Sequence, residues 1–458
     1  MNLRLLILGA AMALSGCANF APRYTRPEAA VPVAGQPAAQ DAAQDAATVP
    51  WRDFVNDARL RQTIAVGLAN NRDLRVAALN VQRARAQYRV QDAVSLPQLN
   101  ASAGLSRSGA GNNIGNSATI NLGLSAFELD LFGRVKNLSE SALQATFASA
   151  ETRRSVQINL VAELAKAWLN LAADQALQRL AQQTLDSRQR SQDLNTRRHE
   201  LGGITGLALS QTQSALASAR LDVANAAAQV EQDRHALELL AGAAVPAELL
   251  PGDSLAAPTA LVDLPEGVSS SVLQRRPDVL AAEHQLQAAH ADIGAARAAM
   301  FPRIALTAAA GSSSDALSGL FKAGSRAWNF GPSISLPLFD GGASQATLDA
   351  SRIGREIAWA QYDRAVQVAF REVADALSVR ASLAQRLAAQ ASLNVATERQ
   401  LRLAEALFRA GGSTQLDVLD AQRSFYAAQQ GQIALRLAEQ TNRITLYKVL
   451  GGGSLEQE

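Results

Sequence analysis

The sequence predicts an α+β membrane protein in which each chain supplies four strands to a shared β-barrel and long coiled-coil helices beside it. Three observations carry that class. Four segments alternate apolar with small polar residues at a period of two. Two stretches of roughly 65 residues lack proline and almost lack glycine, enough for about 100 Å of helix each. The whole plan is written twice along the chain.

The chain opens with Arg4 and a short apolar run from Leu5 to Leu8 that continues into Ala and Met. A run this short is a secretory signal rather than a membrane span. Leu14-Ser15-Gly16-Cys17 resembles the lipobox of bacterial lipoproteins, in which the cysteine becomes the acylated first residue. Residues 1–16 therefore read as signal peptide. Residues 17–50, rich in Ala, Pro and Gln, read as an acylated N-terminus and extended tether. Cys17 is the only cysteine, so the mature chain forms no internal disulfide. With 43 basic against 41 acidic residues, nothing in the charge balance suggests a nucleic-acid partner.

The duplication has a register. Asp73 and Asp278 are 205 apart, as are Pro97 and Pro302; Phe132 and Phe339 are 207 apart. Gly203 and Gly412 are 209 apart, as are Gly242 and Gly451, and "GITGLALSQTQ" matches "GSTQLDVLDAQ". Repeat one is set at 51–243, a Pro-rich linker at 244–268, repeat two at 269–451 and a tail at 452–458. Each repeat runs helix, strand, strand, long helix, tight Gly turn, helix.

The strands decide the environment. Leu99, Ala101, Ala103 and Leu105 alternate with Asn100, Ser102 and Gly104; Ile120, Leu122 and Leu124 alternate with Asn121, Gly123 and Ser125. Ile304, Leu306 and Ala308 define the third strand. Trp328, Phe330, Ile334 and Leu336 define the fourth, with Pro332 as an interruption. One apolar and one small polar face suits a membrane β-barrel strand. Leu122, Leu124, Ile334 and Leu336 are expected to face lipid, and Asn121, Ser125, Ser333 and Ser335 a lumen. The turns "SGAGNNIGNS" and "SSSDALSGLFKAGS" exceed a tight hairpin and suit outward loops.

The long helices run from about Lys136 to Leu201 and from Ala343 to Ala410, with shorter ones over Asn71–Ser95 and Thr205–Ala241. Val161, Leu164, Trp168 and Leu171, and likewise Val366, Phe370, Val373 and Leu377, have the spacing of a coiled-coil seam. Four strands cannot close a barrel, and an open edge in lipid leaves backbone groups unsatisfied. The chain must oligomerise. Three copies give twelve strands and an open lumen, which the polar faces favour over a side-chain-filled eight.

"RRPDVLAAEHQLQAAHADIGAARAAMFPRIAL" (Arg275 to Leu306) and "FELDLFGR" (Phe127 to Arg134) resemble signatures of the outer membrane factor family of TolC-like efflux ducts, in its OprM/NodT lipoprotein branch. The resemblance covers nearly the whole mature chain. It implies a homotrimer with a twelve-stranded outer-membrane barrel continuous with a periplasmic α-helical barrel. It also implies docking to a periplasmic adaptor and an inner-membrane transporter of the proton-driven RND type, for export of drugs or other small molecules. The Gly turns, Gly202, Gly203, Ile204 and Thr205 with Gly411, Gly412, Ser413 and Thr414, correspond to adaptor-docking tips. Leu416, Asp417 and Asp420 in "LDVLDAQ" resemble the aspartate-ringed periplasmic gate. The tyrosine and arginine that brace this gate in some members are here Phe408 and Ser413.

Asp417 has a second role open to it, since Thr414-x-x-Asp417 is a capping-box pattern. The first repeat has Ala208 and Gln211 at the matching positions, so a helix can start there without either acid. The histidines at 199, 235, 284 and 290 lack metal-ligand spacing and read as solvated helix residues. No nucleophile elbow, P-loop or dinucleotide fingerprint occurs, so neither an enzyme nor a cofactor is expected. The alternatives are an outer-membrane duct for type I protein secretion, which shares this architecture, and a non-conducting coiled-coil scaffold, which would not need the strand pairs.

Overall fold

The computed structural model describes residues 19–27, 49–111, 113–252, 261–262 and 274–453. Cys17, most of the expected tether and most of the linker lie outside these residues. The helices are α1 (Trp51–Phe54), α2 (Ala58–Asn70), α3 (Arg72–Ala93), α4 (Arg134–Glu200), α5 (Gly206–Ala241), α6 (Pro277–Ala298), α7 (Ala343–Arg409) and α8 (Gln415–Val449). The strands are β1 (Leu99–Ala110), β2 (Asn113–Glu128), β3 (Arg303–Ser314) and β4 (Arg326–Ser335). The duplication is exact in places: α3 and α6 each have 22 residues, and α4 and α7 each have 67. Among the described residues no helix is long and apolar enough to cross a membrane.

The chain divides into two compact units. The first comprises Ala78–Thr152, Asp278–Ala365 and the described residues 19–27. It contains one antiparallel sheet in the order β1-β2-β3-β4. Residues directly opposite in a ladder share a face. Leu99 pairs with Leu124, Ala101 with Leu122, Leu122 with Ala310, Ala310 with Trp328 and Ile304 with Ile334, so the apolar positions of all four strands lie on one side. The hairpin between β1 and β2 differs from expectation. Pairing continues to Ala110 opposite Asn113, with Gly111 in the left-handed region, so "SGAGNNIGNS" forms a tight hairpin. Pro332 does not interrupt β4. It pairs with Leu306 in a ladder that runs without a shift from Arg303 opposite Ser335 to Ser312 opposite Arg326. Leu336 lies one residue beyond β4.

Residues 19–27 are not a free tether. Phe20 stacks on Phe301 at 4.5 Å between ring centroids and lies 6.1 Å from Phe132. Tyr24 and Arg26 both donate to Glu283, the Arg26 Nη2 at 2.6 Å. His290 and His284 are likewise not solvated. His290 packs edge-on to Tyr24, and burial followed by the charge of Arg355 lowers its pKa. His284 Nδ1 lies 2.7 Å from Gln144 Oε1. Both are half-buried, His290 by Tyr24 and His284 by Gln144 and Phe147.

The second unit comprises Arg153–Pro277, Val366–Glu458 and the described part of Val31–Ala77. Its core gathers Trp51, Phe54, Leu60, Ile64, Leu164, Trp168, Leu171, Leu237 and Ile444. Phe54 stacks on Tyr447 at 4.1 Å, and the Tyr447 hydroxyl donates to Val49 O. The seam residues Val161, Leu164, Trp168 and Leu171 are all buried, but so are Leu160, Ala162, Ala165 and Leu169. Here α4 is buried on more than a coiled-coil stripe, because α1 and α2 contribute to the same core. Arg276, from the "RRPD" motif, is buried. It donates to Val449 O, at the negative end of α8, and to Glu372 Oε2 at 2.7 Å.

Candidate functional site

Two Gly turns close the helical hairpins, and they are built identically. In the first, the Gly202 N–H donates to His199 O and the Gly203 N–H to Arg198 O. In the second, Gly411 donates to Phe408 O and Gly412 to Leu407 O. Gly202 and Gly411 adopt φ of +71° and +78°, a left-handed geometry that a Cβ would strain. The next helices start on Thr205 and Thr414, whose hydroxyls accept from Ala208 N and Asp417 N. Ile204 and Ser413 are half-buried and the rest of both turns is exposed.

The copies diverge at the start of α8. The capping box is formed: Asp417 Oδ2 accepts from Thr414 N at 2.8 Å and from the Thr414 hydroxyl at 2.7 Å. These bonds to the charged form hold the Asp417 carboxyl below its ordinary pKa. Val418 and Leu419 point inward at 6% and 4% exposure, so Leu416, Asp417 and Asp420 share the opposite, open face. Within one chain both acids are therefore accessible.

Three arginines lie on or near the second hairpin, and one of them reaches that face. Arg423 donates to Asp420 Oδ1 at 2.8 Å. Its i,i+3 spacing makes the pair readable from sequence. Arg188 of α4 is buried and donates to Gln422 of α8; burial, and then the charge of Arg423, lowers its pKa. Arg198 lies over the ring of Phe408 at 5.1 Å, joining the ends of α4 and α7. Arg188 and Arg198 reach these partners across 234 and 210 residues of chain, and no local pattern announces them.

On the sheet, Leu122 and Ile334 are 52% and 71% exposed, and Leu124 is half-buried opposite Leu99. Asn121, Ser333 and Ser335 occupy the other face, and Ser125 joins them by accepting from Asn100 Nδ2. That second face is crowded. A Cβ on Gly123 would lie 2.6 Å from Ala308 O, and one on Gly311 would meet Ile120 O. Glycine at these two positions lets the neighbouring backbone approach closely. Among the described residues no group of three His, Cys, Asp or Glu is placed to hold a metal.

A four-stranded antiparallel sheet with an exposed apolar face, and two helical hairpins that each begin with a 67-residue helix, define an outer-membrane channel of the TolC-like kind. The chain belongs to the outer membrane efflux protein family, whose model matches residues 64–243 and 268–452. It is 43% identical to the probable efflux pump outer membrane protein TtgC of Pseudomonas putida, over 98% of this chain and 95% of that one. It is 42% identical to the cation efflux system protein CusC of Escherichia coli, over 98% and 99% of the two chains. Its fold matches the open-state crystal structure of the MtrE outer membrane channel of Neisseria gonorrhoeae with a TM-score of 0.86. That match has 38% identity and covers 95% of this chain and 98% of that one.

Proposed function

We propose that the protein is the outer-membrane exit duct of a tripartite efflux system, passively conducting drugs or other small molecules delivered by an inner-membrane pump. The observation that carries this is the sheet. Four strands with an exposed apolar face and two unpaired outer edges cannot stand alone in lipid, and three copies close a twelve-stranded barrel around a polar lumen. Leu122, Leu124, Ile334 and Leu336 face lipid in that barrel. Cys17 carries the acyl anchor, which mass spectrometry of the mature N-terminus would read directly. The Gly turns 202–205 and 411–414 are the exposed ends available to a periplasmic adaptor, which links the duct to an RND-type transporter.

Leu416, Asp417 and Asp420 form the periplasmic gate. Three copies bring six carboxylates around one axis, and a ring of that sign prefers cations. Each Asp420 is partly answered by Arg423, so Asp417 supplies the uncompensated charge. Purified trimers in a planar bilayer test the reading. The wild type should conduct with cation preference, and Asp417→Ala with Asp420→Ala should reduce that preference and the block by multivalent cations. A protein that forms no conducting pore would defeat the duct. Unchanged selectivity with a less stable α8 would leave Asp417 as a cap alone.

A further inference from the structure

The apolar rows of the two outer strands end alike. Read from the foot of the sheet toward the hairpin tips, Leu99, Ala101, Ala103 and Leu105 of β1 are followed by Arg107. On β4, Ile334, Phe330 and Trp328 are followed by Arg326. The ladders place both arginines on the apolar face. Arg107 lies opposite Asn116, four residues from Ile120 on β2. Arg326 lies opposite Ser312, which is itself opposite Ile120. Leu99 to Arg107 and Arg326 to Ile334 each span eight residues. That is roughly 26 Å of strand, or about 20 Å of height once the tilt of a barrel strand is allowed for. An arginine stem laid along the apolar surface carries its guanidinium the remaining distance to headgroup level.

The charges are sorted by end. Between Leu99 and Phe127, and between Ile304 and Ser335, the charged residues are Arg107, Asp315, Lys322 and Arg326. All four sit in the tip half of the hairpins, three cations against one acid. At the foot the charges are matched instead: the Glu128 carboxylate is closed between Arg134 at 2.7 Å and Arg303 at 2.6 Å. Arg107 and Arg326 are exposed, and among the described residues neither has an acidic partner.

The surface below each arginine selects the ligand. Leu105 and Trp328, one step footward of them on the same face, are 71% and 80% exposed. A free anion would use the guanidinium and leave these apolar groups bare. An anionic lipid answers both, its acyl chains on the apolar row and its phosphate on the planar donor fork of arginine.

We propose that Arg107 and Arg326 are headgroup sites for anionic, phosphate-bearing lipid in the leaflet at the hairpin tips, one at each outer edge of the sheet. This rests on the lipid-facing sheet proposed above. Trp328 is the reporter, because brominated acyl chains quench a tryptophan that they touch. Trp51 and Trp168 are buried in the core of the second unit, and Trp359→Phe removes the one in α7. The full-length Trp359→Phe protein is inserted into vesicles of phosphatidylcholine and phosphatidic acid, with one of the two lipids brominated at a time. Phosphatidic acid should be favoured at Trp328 by about fivefold, the contribution of one basic residue at an anionic lipid surface. Arg326→Gln should bring the two lipids to parity, and Arg326→Lys should keep most of the preference. Lys322→Gln, which removes a charge from the β3–β4 connection, should leave it unchanged. Leu105→Trp in a Trp328→Leu background reads Arg107 in the same way, and Arg107→Gln should abolish its preference. Quenching by phosphatidylcholine in every variant shows that a lost preference is not lost folding. Equal quenching by the two lipids before any arginine is changed would overturn the sites and leave the lipid-facing sheet standing. So would equal losses from Lys322→Gln and Arg326→Gln, since a diffuse rim charge would then suffice. No quenching by either lipid in the inserted protein would defeat the lipid-facing sheet itself, and the sites with it.

Discussion

Arg26→Met should release the N-terminal segment from the first unit, and the size of the effect follows from the burial of its partner. Glu283 accepts three hydrogen bonds, from Tyr24 Oη at 3.0 Å, Arg26 Nε at 2.9 Å and Arg26 Nη2 at 2.6 Å. Its side chain is 6% exposed, whereas that of Arg26 is 47% exposed. Removing one partner of a buried pair costs about 3–5 kcal/mol. Water reaches the exposed flank of Arg26, so the lower end applies, about 3 kcal/mol. The reverse change is milder. Glu283→Gln keeps an acceptor and frees an arginine that already meets solvent, for roughly 1–1.5 kcal/mol. Trypsin reads both, because Arg23 is exposed and the bond to Tyr24 becomes cleavable only when the segment lifts away. When reclosing outpaces cleavage, the rate tracks the open population. Cleavage at Arg23 should then rise by roughly 150-fold for Arg26→Met and about tenfold for Glu283→Gln. Equal rates for wild type and Arg26→Met, or a larger effect from Glu283→Gln, would refute the asymmetry.

Other expectations concern the sheet and the second unit. Leu122→Arg places a charge on the apolar face at a cost of about 2–4 kcal/mol near the bilayer midplane, while Asn121→Arg should be far milder. Yields of folded protein in lipid vesicles compare them, and equal losses would reject the assigned faces. Asp174 is pushed up to about 7 by burial and by Asp233 beside it. A carboxyl with a folded pKa above its unfolded value of about 3.9 contributes stability that is full below that value and lost as pH rises through 7. Asp174→Asn should therefore raise the thermal midpoint relative to wild type increasingly from pH 5 to pH 8. A constant difference would show that the pair does not titrate in this range.

The parts of this fold that sequence exposes best are those decided locally. The bounds of α4 and α7 follow from long runs of helix formers, broken only by Gly354 in α7, that end at Gly202 and Gly411, and Thr205 and Thr414 are caps by residue type. The helix α2 was not anticipated, and its composition explains why. Its buried stripe is Leu60, Thr63, Ile64 and Gly67, where Gly67 is demanded by the Leu164 side chain that would meet any Cβ there. A stripe with a threonine and a glycine does not read as apolar. The same limit applies around the start of α8. The Asp417 cap and the Asp420–Arg423 pair are local and legible, whereas Arg188 on Gln422 and Arg198 on Phe408 exist only because distant helices meet. The histidines of α6 were missed for that reason too: Tyr24 reaches His290 across 266 residues, and Gln144 reaches His284 across 140.

The docking of Phe20 between Phe132 and Phe301 also acts as a surveyor's mark. Three peptide units separate Phe20 from Cys17, a leash of at most about 11 Å. An acyl chain on Cys17 must therefore enter lipid within that reach of the aromatic trio, where β2 ends and β3 begins. Attachment at Cys17 would then fix more than residence in the membrane. It would pin the foot of the strands to one leaflet and set the hairpin tips at Gly111 and around Leu317 on the opposite side, and a chain inserted upside down would have to pull its own anchor through the bilayer.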